Sequence, residues 1–150
     1  MEYFLNLDLL TLSEWQKKDL RIGFIDAGLV SIVKSWQQRP ALEHDEEDRV
    51  WINHSALLQE IPIFRIKSRA LETRLKKLAD CGILDRALKN TKNGNKAYYR
   101  LSDLYWEWHE WWRSYIGAEK DGNEIALINL EDRKPALPVD NFEPPAAKCG

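Results

Sequence analysis

Cysteine is scarce in this chain of 150 residues: Cys81 lies inside a helical pattern and Cys149 stands next to the last residue. Two thiols so placed make neither a disulfide framework nor a zinc spacing, and Cys81 reads as a small buried apolar side chain. The three histidines, His44, His54 and His109, are scattered without a second ligand at metal spacing. No apolar run approaches the ~18 residues needed to cross a bilayer, so no membrane partner is expected. No nucleophile stands beside a base, and there is no phosphate-cradling glycine loop. Neither catalysis nor a cofactor is therefore expected. The opening Met1-Glu-Tyr-Phe-Leu lacks a basic stretch before an apolar run, unlike a secretory signal, and a cytoplasmic location is expected.

What is present is a globular composition, 44% hydrophobic and 31% charged, of a size suited to one core with appendages. The formal net charge of −2 conceals an asymmetry. Between positions 62 and 100 eleven basic residues face only Glu72, Asp80 and Asp85, while the remainder of the chain is acidic. A basic block on an acidic chain is the electrostatic footprint of a local nucleic-acid contact.

Tyr3 to Leu10 alternates apolar and polar and predicts a short strand, followed by a helix start at Ser13. Leu29, Ile32, Val33 and Trp36 recur at helical spacing between Asp26, an acidic N-cap candidate, and Pro40. The charge run 43–48 predicts a solvated loop. Val50-Trp-Ile52 reads as a β segment, and Asn53 or Ser55 caps a short helix ending before Pro62. Ser68 is the expected N-cap of a helix running to Gly82, with Leu71, Leu75 and Leu78 inward and Arg69, Thr73 and Lys76 outward. Two strands around Asn93-Gly94 form a hairpin with a basic tip. Ser102 caps a helix to about Ile116, closed by Gly117. The rest, 117–150, is acidic and bears prolines, reading as an extended tail in which only Ile125 to Leu130 is strand-like.

Ser68-Arg-Ala-Leu-Glu-Thr-Arg-Leu-Lys-Lys-Leu-Ala-Asp-Cys-Gly-Ile-Leu84, followed by a hairpin ending in Tyr-Tyr-Arg-Leu101, resembles the recognition helix and wing of winged helix-turn-helix domains. The likeness spans about Arg49 to Leu101, with 26–38 as the preceding helix. The opening Phe4 to Leu10 with its following helix is similar to phage and plasmid helix-turn-helix proteins of replication or its regulation. One departure is the long turn Ile61-Pro-Ile-Phe-Arg-Ile-Lys-Ser68, where many members have a short Leu-Gly-Ile/Val-Ser segment. The resemblance implies a mainly α fold with a small β-hairpin (α+β), comprising a domain over 1–116 (core 26–101, aromatic helix 102–116) and a tail over 117–150. It implies a sequence-specific binder of double-stranded DNA, a transcriptional regulator or a replication factor. The alternative is a protein-contact module, with the acidic tail presented to a protein partner.

On this reading Arg69, Thr73 and Lys76 face base edges, Ser68 offers donors to a phosphate, and Lys67 and Lys77 neutralise flanking phosphates. Lys92, Asn93, Asn95 and Lys96 form the wing tip. Trp106, Trp108, Trp111 and Trp112 crowd one helix, either to close the core or to supply a homodimer contact through Tyr105, Trp112 and Ile116.

Overall fold

A computed structural model describes residues 7–19 and 21–137. The fold is α+β: among the described residues are six α-helices, one 3₁₀ turn and one three-stranded antiparallel sheet. Helix α1 spans Leu9–Gln16 and α2 Phe24–Gln37. Strand β1 is Val50–Trp51, α3 is His54–Glu60, and a 3₁₀ turn at Pro62–Phe64 leads to α4, Ser68–Asp80. Strands β2, Leu84–Thr91, and β3, Gly94–Leu101, form the hairpin, and α5, Asp103–Lys120, and α6, Glu124–Glu131, complete the chain. No helix among the described residues is long and apolar enough to cross a membrane.

The middle of the chain folds where its periodicity places it. The buried face of α2 carries Leu29, Ile32, Val33 and Trp36, and Leu71, Leu75 and Leu78 of α4 are each fully buried against it. Asn53 caps α3 and Ser102 caps α5 through their side-chain oxygens, which accept from the N–H groups of Ala56 and Tyr105. After Cys81 the chain turns at Gly82, whose φ of +90° is a left-handed conformation that favours glycine. The sheet order is β1-β3-β2, with Val50 opposite Tyr99 and Leu84 opposite Leu101. In the hairpin turn Lys92 and Asn93 keep ordinary negative φ, and Gly94 alone takes the left-handed position at +102°.

Five expectations are corrected. The predicted strand Tyr3–Leu10 is in part outside the described residues, but Leu9 and Leu10 belong to α1, because the Asp8 carboxylate accepts from Thr11 N–H and starts a helix there. Ser13 lies inside that helix and donates its hydroxyl to the Leu10 carbonyl. Asp26 is not the N-cap of α2 but its third residue, accepting from Gly23 N–H at 3.0 Å. Helix α5 does not stop at Gly117; it runs to Lys120, because α6 folds back along it and Trp111 donates to the Leu130 carbonyl at 2.7 Å. The strand-like Ile125–Leu130 is accordingly helical, capped by Asn123. The remainder of the expected tail, from position 138, lies outside the described residues.

The segment before α4 is set by a close contact. The Phe64 ring lies against the α2 backbone at Gly28, where a Cβ would come within 2.3 Å of the ring. Only glycine admits that approach, which fixes the 3₁₀ turn against α2 and so the point from which α4 departs.

Candidate nucleic-acid interface

Helix α4 divides its residues sharply: its three leucines are buried and Arg69, Thr73 and Lys76 are exposed on the opposite side. Ser68 is the first helical residue rather than the cap, and Lys67 holds the cap position in extended backbone. The Ser68 hydroxyl is instead within hydrogen-bond distance, 2.9 Å, of His54 Nδ1 at the start of α3. Thr73 donates its hydroxyl proton to the Arg69 carbonyl, leaving its oxygen as an acceptor. Lys76 makes an ion pair with Glu72 one turn back, at 3.2 Å with both side chains about half exposed, so it contributes little to stability and remains available to a ligand.

Lys77, expected to neutralise a flanking phosphate, is engaged within the fold. Its Nζ donates to Asp26 Oδ2 and to the Arg21 carbonyl, both at 3.0 Å, and Arg74 reaches the same carboxylate at 3.3 Å. Asp26 is fully buried, so these two cations supply the opposite charge that a buried carboxylate requires. They pin α4 to the first turn of α2.

The hairpin has two unlike faces. On one, Arg86, Leu88, Asn95 and Ala97 line a groove toward α4 together with Glu72 and Lys76. On the other, the acidic loop 43–48 lies against the strands. Glu43 accepts from Lys96 and from the Tyr98 hydroxyl, Glu46 and Asp45 pair with Lys89, and Asp85 holds Arg100 at 2.8 Å. The Glu43 hydrogen bond pushes the Tyr98 hydroxyl up to about 12 and in turn draws Glu43 below the usual carboxylate range. Arg49 closes the network with Asp45, Glu47 and Asp85. Lys96, expected at the tip as a ligand contact, is thus committed to Glu43 and to the Trp51 ring, 4.1 Å from its centroid. Lys92, Asn93 and Asn95 remain exposed at the tip.

Two cations beside α4 that the sequence did not single out are Arg21, in the α1–α2 turn, and Arg65, just before α4. Both line a cleft along that helix with Lys67 and Arg69. A signal for part of this arrangement existed in the sequence: Asp26 stands among the apolar residues of α2 and falls on its buried side.

The proposed dimer contact is altered. Tyr105 is 1% exposed and its hydroxyl donates to Asp8 Oδ2 at 2.7 Å, so it belongs to the interior and cannot meet a partner. Trp112 is half-buried among Trp111 and Tyr115, and only Ile116 stands well exposed, at 45%. The same Asp8 oxygen receives His109 Nδ1 at 2.7 Å. Burial works to raise the Asp8 pKa, but the hydrogen bonds from His109, Tyr105 and Thr11 outweigh it and hold the carboxyl below its ordinary value. Set against protein-family models, curated proteins and solved structures, the chain matches none of them.

Proposed function

We propose that this chain binds double-stranded DNA as a winged helix-turn-helix protein, with α3 and α4 as the helix pair, α4 as the recognition helix and the β2–β3 hairpin as the wing. The observation that carries the reading is the composition of α4: Arg69, Thr73 and Lys76 project opposite a fully buried leucine stripe, on a helix flanked by a hairpin with an exposed Lys92 tip. The element order α2-β1-α3-α4-β2-β3, with β1 added to the outer side of β3, supports it. The role that fits is non-catalytic and cytoplasmic, in regulating transcription or in phage or plasmid replication. Arg69 is the residue proposed to read a base edge, where a bidentate contact to guanine contributes ~1–3 kcal/mol of discrimination.

The test is fluorescence anisotropy of the full chain on duplexes recovered by selection and on random duplexes, at several salt concentrations. Binding that weakens steeply with salt, with Arg69→Ala losing more affinity on the selected duplex than on random DNA, is the expected result. A wild-type chain that binds no duplex at low salt overturns the proposal. The second reading, a protein-contact module, draws on Ile125 and Ile128 of α6, which are 72% and 65% exposed. Ile116 of α5 is exposed as well, at 45%, and sedimentation at micromolar concentration tests whether these apolar residues hold a homodimer.

A further inference from the structure

Helix α4 has two flanks, and the hairpin stands along only one of them. Around the helix axis Glu72 and Lys76 lie toward the hairpin groove, Arg69 and Thr73 lie outermost, and Ala70, Arg74 and Lys77 lie on the far flank. That far flank borders a cleft closed by the α1–α2 turn and by the residues just before α4. Six cations line it, Arg21, Arg65, Lys67, Arg69, Arg74 and Lys77, and no carboxylate is among its lining residues.

The six are not equivalent. Arg74 and Lys77 form a neutralised floor on buried Asp26, and Arg21 bonds to Asp19. Arg65, Lys67 and Arg69 on the rim are exposed and make no ion pair among the described residues. Arg65 also takes a left-handed backbone, φ +52°, at the end of the 3₁₀ turn, a conformation that costs a non-glycine residue energy. The Gly28–Phe64 contact and the Arg65 N–H bond to the Pro62 carbonyl at 3.1 Å hold it there.

An α-helix with its side chains is roughly 10–12 Å across, about the width of the B-DNA major groove, so a helix seated there abuts a different strand on each flank. From this we infer that the cleft is a second-strand site: it binds the sugar-phosphate backbone of the strand opposite the one running along the hairpin. Arg65 is its principal phosphate ligand, and Arg21 extends the contact to the α1–α2 turn. This rests on the DNA-binding reading of α4 and deepens it, since it brings the N-terminal helices into the interface and makes the protein grip both strands.

The test is the salt dependence of duplex binding by the full-length Arg65→Gln chain, alongside Arg65→Lys and the wild type, with thermal melting as a control. One lost phosphate contact reduces the slope of log K against log salt by ~0.9, which is roughly an eightfold loss of affinity at 0.1 M salt. The expected result is that loss for Arg65→Gln on every duplex alike, with sequence preference and melting temperature unchanged and the slope recovered in Arg65→Lys. Ethylation of the duplex phosphates should then interfere with wild-type binding on both strands, and one phosphate on one strand should lose its effect in Arg65→Gln. An unchanged slope in a wild-type protein that binds DNA overturns the second-strand site and leaves the DNA reading standing. A wild type that binds no duplex overturns both.

Discussion

Replacing Asp26 should separate the fold from its surface more cleanly than any other single change. Its carboxylate is fully buried and accepts three kinds of donor: Gly23 N–H at 3.0 Å, Lys77 Nζ at 3.0 Å and the Arg74 guanidinium at 3.3 Å. Loss of a helix-start acceptor costs ~1 kcal/mol, and breaking a buried ion pair costs ~3–5 kcal/mol when its partner is left stranded. Here the partners are not wholly stranded, because the Lys77 and Arg74 side chains are 14% and 32% exposed and can turn toward water. Asp26→Ala should therefore cost about 3 kcal/mol, lowering the melting temperature by ~6–12 °C for a chain of this size. Asp26→Asn keeps one acceptor and should cost less. Urea unfolding of the wild type, Asp26→Ala, Lys77→Met and the double variant gives the coupling between the two residues, expected at ~1 kcal/mol or more for a direct contact. A loss within ~0.5 kcal/mol, as for an ordinary surface substitution, or additive single effects would refute the view that this carboxylate ties α4 to α2.

Gly28→Ala should destabilise by up to ~2 kcal/mol, the ~1–3 kcal/mol of overpacking against Phe64 being partly offset by better helix propensity. A more stable variant in the same urea titration would refute the close ring-to-backbone contact. Lys92→Ala should reduce the salt slope of DNA binding by ~0.9, whereas Lys96→Ala should leave it nearly unchanged, since its charge already serves Glu43. Equal effects on the slope would show that the loop does not occupy Lys96. For Asp8 the native pKa lies below its ordinary 3.8, so its contribution is present above that value and is lost as the pH falls below it. The melting-temperature gap between wild type and Asp8→Asn should thus be wide at neutral pH and narrow well below pH 3.8, and a gap that stays constant with pH would refute the assignment.

Where neighbours in sequence decide the structure, the sequence can be read directly. The leucine stripe of α4, the caps Asn53 and Ser102, the left-handed Gly82 and the hairpin all follow from period, capping and turn chemistry. Two elements differ from their sequence pattern because their local signals are ambiguous. The alternation before Leu10 matches a strand, yet the Asp8 side chain starts a helix. Ile125–Leu130 is a short apolar run whose helical state depends on packing against Trp111 in α5. Gly117 signals a stop because glycine disfavours helix interiors, a penalty of ~1 kcal/mol that the α5–α6 packing overrides.

The site was legible as to which residues are basic but not as to which are available. Lys77 meets Asp26 and Lys96 meets Glu43 across more than fifty positions of chain, and no local pattern reports such pairings. Arg65 is illegible for a different reason: its place on the cleft depends on a left-handed turn set by Phe64 against Gly28.

The acidic loop along the back of the hairpin has a consequence for when disorder is given up. A two-stranded ribbon alone is marginally stable in water, and one that orders only on meeting a ligand loses conformational entropy at that moment. Here Glu43, Asp45, Glu46 and Asp85 hold Lys89, Lys96, Tyr98 and Arg100 before any ligand arrives. The entropy of fixing the ribbon is thereby charged to folding, and a binding partner meets a hairpin already shaped, at the expense of the cations the loop occupies.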